Sequence, residues 1–238
     1  MKLATLMMLT MMTLGGIARA EDAMPPVDEL VTRTRAMMDK KPDVVCKIVV
    51  DTQLLDKTGK PEHDEHREGK ATLRGDDQDI ESDSVVRDGQ QMTAAELADE
   101  RAKVKKDKAK AKKKGGDSSS DFDISPMTAK KSNEAFELVR KETLWGRPAY
   151  LLKVRAQKPS ADEFNGMLWI DAEKFVELKA ELTPASMPPH ADWIKVQMQY
   201  VPGPKEVPVP SYLHIEGAGH MWMMHKQFRT TLRWSDCR

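Results

Sequence analysis

From residue 43 to the C-terminus the chain runs as short stretches of alternating apolar and polar residues, separated by turn-forming clusters. A period of two suits strands with one buried face, and short turns between them suit antiparallel pairing. "DVVCKIVVDTQLL" is rich in β-branched residues, turns at Lys57 to Lys60 around Gly59, and returns through the polar run ending "REGKATLRGDD". "QDIESDSVVRDG" reads as a third strand. "SNEAFELVRKETLWGRPAYLLKVRAQK" reads as two strands joined at Trp145-Gly146-Arg147-Pro148, and "FNGMLWIDAEKFVELKAELTP" as two more, turning at Asp171 to Lys174. The remainder supplies three or four, with turns expected at Pro202-Gly203-Pro204 and Gly217-Ala218-Gly219. Roughly eight to eleven strands in such an order predict a long antiparallel sheet that curls, with one face in water and the other lining a concave interior. One helix precedes it. In "PPVDELVTRTRAMMDKK", Val27, Leu30, Val31, Thr34, Met37 and Met38 recur at helical spacing behind Pro25-Pro26. The expected class is therefore α+β, mainly β.

The first twenty residues indicate export. Lys2 is followed by an apolar stretch, Leu3 to Leu14, broken only by threonines, and Ala18-Arg19-Ala20 supplies a small-x-small cleavage signal before Glu21. That stretch is too short to cross a hydrocarbon core of ~30 Å. The expectation is a signal peptide at 1–20 and one periplasmic or secreted domain at 21–238.

Within that domain, residues 92–121 read as an insertion. Thr93 and Glu96 form a capping box, and Ala94, Ala95, Leu97, Ala98 and Ala102 favour helix. Acidic Glu96, Asp99 and Glu100 come first and lysines follow, which suits the helix dipole. Only Leu97 and Val104 offer an apolar stripe, so most of this helix should face water. It ends at Gly115-Gly116 and runs into the linker "DSSSDFD". The lysine-rich run 101–116 does not imply nucleic acid. It contains no aromatic residue, and without Lys2 and Arg19 the chain holds 36 basic residues against 38 acidic ones. A nucleic-acid binder carries a basic bias and stacking aromatics. Peripheral contact with anionic lipid headgroups stays open.

The alternation assigns faces. Leu152, Val154 and Ala156 oppose Lys153, Arg155 and Gln157, while Leu168 and Ile170 oppose Met167 and Trp169. In the last strand Trp222, Met224, Phe228, Leu232 and Trp234 share a face with Lys226 and Thr230. "WGRPAYLLKV", "GMLWIDAEKFVELKAEL", the proline-marked "VPVPSYLHI" and the terminal "RTTLRWSDCR", in this order behind a helix, resemble the outer-membrane lipoprotein-sorting (LolA-like) family. The "DGQQMTAAELADE" helix resembles an insertion in secreted members of that group. The resemblance covers most of the mature chain and implies a half-open β-barrel whose concave apolar face carries or senses an acyl chain. On that reading the groove is expected to use Trp169, Trp193, Trp222, Met224, Phe228 and Trp234, with a lipid or an acylated lipoprotein as partner. The alternative is a module with a packed core that docks an envelope protein.

Two cysteines, Cys46 in the first strand and Cys237 next to the C-terminus, suit a disulfide in an oxidising compartment, or else two buried thiols. His63 and His66 flank Asp64-Glu65, but on a strand they point to opposite faces, so no metal site is expected. Gly116-Asp117-Ser118 lies in the linker, without the rigid strand-to-helix turn of a nucleophile elbow. Neither a cofactor motif nor a catalytic constellation is evident, and the expected protein is not an enzyme.

Overall fold

The computed structural model describes residues 24–75, 77–113, 124–128, 133–221 and 224–238; the expected signal peptide and the linker 117–123 lie outside them. Helix α1 (Val27–Met38) is followed by strands β1 (Asp43–Leu55), β2 (Pro61–Arg74), β3 (Asp77–Arg87) and β4 (Gln90–Gln91), then by helix α2 (Ala94–Lys113). Strands β5 (Glu134–Leu144), β6 (Arg147–Ala156), β7 (Phe164–Asp171), β8 (Glu177–Pro184), β9 (Ala191–Pro202), β10 (Pro208–Met221) and β11 (Met224–Ser235) complete the chain.

All eleven strands form one antiparallel sheet in the order β4-β3-β2-β1-β11-β10-β9-β8-β7-β6-β5. It is two meanders, β1 to β4 and β5 to β11, sewn together where β1 pairs with β11. The edge strands β4 and β5 do not pair with each other, so the sheet is open. The mainly-β curved sheet with an N-terminal helix and a helical insertion is thus the fold observed.

One row of partners defines the concave face. Leu152, Leu168, Ala180, Met198, Leu213 and Leu232 stand directly opposite one another across β6 to β11, and all are buried. α1 lies against this face. Pro26 precedes it, Asp28 and Glu29 occupy its first turn near the positive end of the dipole, and Leu30, Val31, Thr34 and Met38 are buried. The Thr34 hydroxyl donates to the Leu30 carbonyl at 2.8 Å, which satisfies a polar group inside the core. Residues 124–128 also enter the interior. Ser125 and Met127 are buried, the Ser125 hydroxyl donates to the buried Glu177 carboxylate of β8, and the Met127 amide donates to Ser125 Oγ at 3.1 Å. Arg35 of α1 donates to the Pro126 carbonyl at 3.5 Å.

The disulfide is present between Cys46 and Cys237, with Cα atoms 4.0 Å apart. Beside it, the Val45 amide donates to the Arg238 carbonyl at 2.9 Å and the Arg238 amide returns a bond to Val45 at 3.1 Å.

One expected turn is absent. β10 runs through Gly217-Ala218-Gly219 and stays in register with β11 as far as Met221 opposite Met224. These glycines mark close approach rather than reversal: a Cβ on Gly217 would lie 2.6 Å from the Phe228 ring, and one on Gly219 would lie 2.4 Å from the His190 carbonyl oxygen. The true reversals keep their chemistry. Trp145 and Gly146 both have positive φ, at 50° and 78°, the form a tight hairpin turn requires.

Candidate ligand cavity under the second helix

α2 starts where the capping box places it. The Glu96 carboxylate accepts from the Thr93 amide at 2.7 Å and from its hydroxyl at 2.8 Å, and the Glu96 amide donates to Thr93 Oγ1 at 3.3 Å. Those bonds hold the Glu96 carboxyl below its ordinary value, with the Thr93 amide as the largest cause. Leu97, Glu100, Arg101 and Val104 recur at i, i+3, i+4 and i+7, which is one face of a helix. That face looks onto the sheet across a cavity of about 400 Å³. The opposite wall is the concave side of the first meander and its seam: Val50 of β1, Ile80 and Ser82 of β3, and Thr230 and Leu232 of β11.

A network of charges fixes the helix over this space. Arg67 of β2 donates through Nη2 to Glu100 Oε1 of α2 at 2.6 Å and through Nε to Glu65. Arg87 of β3 donates through Nε to the second oxygen of Glu65 at 2.8 Å and stands 3.5 Å from Glu100. Farther along α2, Arg101 donates through Nε to the Ser82 carbonyl at 3.0 Å, beside the bulge where β2 and β3 slip register. Burial pushes the Glu65 carboxyl up, but hydrogen bonds from Arg67 and Arg87 outweigh it and hold the group below its ordinary value of 4.5. A depressed carboxylate stabilises above the unfolded-state value and loses that contribution as pH falls through the folded-state value. Acidification through and below 4.5 should therefore loosen the α2 anchor. Hydrogen exchange checks this: α2 amides should lose protection before those of β6 to β10, and simultaneous loss would show that the network does not hold the helix.

Beside the cavity the concave face carries packed side chains. α1, Met127 and the row from Leu152 to Leu232 form one buried cluster, which includes Trp234. The expected groove residues are accordingly dispersed. Phe228 lies on the concave face, partly buried, with its ring over Gly217. Trp222 falls outside the described residues, as does the side chain of Met224. Trp169 and Trp193 correct the expectation, because both stand on the convex face. Trp169 is out of phase with buried Leu168 and Ile170; its Nε1 donates to Glu142 at 2.6 Å, and Lys179 Nζ sits 4.7 Å from its ring. Trp193 is out of phase with Val196 and has Lys195 Nζ at 5.3 Å from its ring. Strand parity separates Trp169 from Leu168, and the phase of the indole, not its size, decides its face.

A second depression, of about 420 Å³, lies among polar residues that include Glu181, Gln197, His214 and Glu216. Its lining comes from strands alone, without the helical cover of the cavity under α2. Histidines on the strands stand beside carboxylates. His66 Nδ1 is 2.7 Å from Asp51, and the hydrogen bonds to Asp51 and then Glu68 raise its pKa; His63 Nδ1 is 3.2 Å from Asp88. Among the described residues no group of three or more His, Cys, Asp or Glu side chains is placed to hold a metal ion, and no helix is long and apolar enough to cross a membrane.

No family model matches the chain, and no curated protein matches its sequence. Solved structures do. A DUF1329 family protein from Desulfovibrio piger matches with a TM-score of 0.43 at 11% identity, over 90% of this chain and 93% of that one. A putative outer membrane lipoprotein-sorting protein domain from Vibrio parahaemolyticus gives 0.40 at 10% identity, over 87% and 90%. A LolA superfamily protein from Nitrosomonas europaea gives 0.37 at 11% identity, over 90% and 94%. The likeness expected from the sequence thus recurs among structures, at a similarity that fixes neither ligand nor partner.

Proposed function

We propose that this protein is a non-enzymatic, extracytoplasmic binder of a lipid or lipoprotein acyl chain, a carrier or a sensor, and that the chain lies in the cavity under α2. The observation that carries this reading is the cavity itself, with Val50, Ile80 and Leu232 on the sheet side and Leu97 and Val104 on the helix side. About 400 Å³ falls in the size range of small-molecule sites, which are mostly apolar with a few placed polar groups. The signal-like N-terminus and the disulfide suit an oxidising compartment outside the cytoplasm. The packing of α1 and Met127 into the other half of the concave face favours a second reading, a docking module for an envelope protein.

Native mass spectrometry of protein purified from a periplasm separates the two. A near-stoichiometric lipid adduct is expected, and Ile80→Asp should reduce it more than tenfold while far-UV circular dichroism is unchanged, because an unpaired carboxylate in an apolar wall opposes the chain. A bare mass that does not change on incubation with lipid would reject the acyl-chain reading and leave the docking module.

A further inference from the structure

The volume of the cavity and the charges at its mouth point to a narrower ligand class, on the assumption that the cavity takes an acyl chain at all. We infer that the occupant is a single-chain anionic amphiphile, with its tail under α2 and its acidic headgroup at Lys105.

Volume limits the number of chains. About 400 Å³ lies at the lower end of the roughly 300–1,000 Å³ of small-molecule sites, each of which takes one drug-sized ligand. That is one short tail. The cavity cannot extend along the concave face, since Leu232 at its floor continues into the buried row through Leu213 and Met198. Two or three acyl chains on one headgroup do not fit.

Charge selects the headgroup. Val104 lines the cavity yet is 43% exposed, so the mouth lies along this edge of α2, and Lys105 lines it next to Val104. The acids around the mouth are already engaged. Glu100 is paired with Arg67, Glu81 lies 3.8 Å from Arg101, and Asp79 has its own interaction. Lys105, in contrast, has no partner among the described residues, and neither do Lys103 and Lys106 on the same helix. A carboxylate or phosphate leaving the cavity here meets an uncommitted ammonium, while a cationic head would meet a like charge.

The test uses dodecanoate, dodecanol of the same chain length, dodecyltrimethylammonium and a tripalmitoylated lipopeptide, titrated into the purified protein by calorimetry and native mass spectrometry. Dodecanoate should bind one-to-one and about tenfold tighter than dodecanol, the margin a charge-assisted contact supplies. Lys105→Glu should erase that margin and leave dodecanol binding unaltered; Lys105 is exposed, so the fold is not at stake. The lipopeptide and the cationic amphiphile should not be taken up. Equal binding of dodecanoate and dodecanol, or indifference to Lys105→Glu, would overturn the headgroup assignment and leave the acyl-chain reading standing. Lipopeptide that displaces dodecanoate would overturn the single-chain limit. Failure of every probe would overturn this inference together with the reading on which it rests.

Discussion

Removing the Cys46–Cys237 disulfide, by reduction or by a Cys46→Ser/Cys237→Ser pair, is expected to destabilise the protein by about 3–5 kcal/mol. The bridge spans a sequence separation of 191 residues, and in the chain-entropy model closing a loop that long restricts the unfolded chain by about 5 kcal/mol. It also sits at the seam between the two meanders. Among the described residues the backbone ladder that joins the halves is the one between β1 and β11, and the disulfide ties the entry of one to the exit of the other. The flanking bonds between Val45 and Arg238 persist without it, which keeps the expected loss at or below the entropic figure. For a domain of this size the change corresponds to a fall in Tm of roughly 10 °C. Thermal unfolding with and without reductant measures it, and coincident curves would show that the two thiols are not joined in the purified protein.

The second large effect tests the assignment of faces on β7. Leu168→Ala should cost about 2–5 kcal/mol, because Leu168 is fully buried between Leu152 and Ala180 in the central row and the space left cannot collapse. Its neighbour Trp169→Ala removes a larger side chain but should cost only about 1–2 kcal/mol. The losses there are a partly exposed cation–π contact with Lys179 and a hydrogen bond to Glu142. Chemical denaturation of the two variants reads the difference. A costlier Trp169→Ala would place the indole on the concave side after all.

Much of this architecture is legible in the residues. The capping box at Thr93 and Glu96 starts α2 where it begins, and Leu97 with Val104 marks the face that covers the cavity. The alternation of "YLLKV" gives the buried phase of β6, and two cysteines behind a signal-like N-terminus suit the bridge that is present. The far wall of the cavity is not legible, because Val50, Ile80 and Thr230 lie on three strands that meet only once β1 has paired with both β2 and β11. Nor does the sequence distinguish a glycine that turns a chain from one that makes room for a ring, as Gly217 does for Phe228. Arg67 and Glu100 are likewise ordinary surface charges until the register brings β2 beneath α2.

The order of the strands has a mechanical consequence. Both ends of the sheet-forming chain sit at the midline, where β1 meets β11, while its two outermost strands, β4 and β5, are joined only by the stretch from 92 to 133 that carries α2 and the buried turn at 124–128. Among the described residues no ladder of hydrogen bonds runs from one edge to the other, and that stretch connects them through the chain. Its two fastenings are Arg67–Glu100, to β2, and Ser125–Glu177, to β8, so it is held to one strand of each meander. A change at either fastening would loosen the hold on one meander without touching the ladder that joins the two.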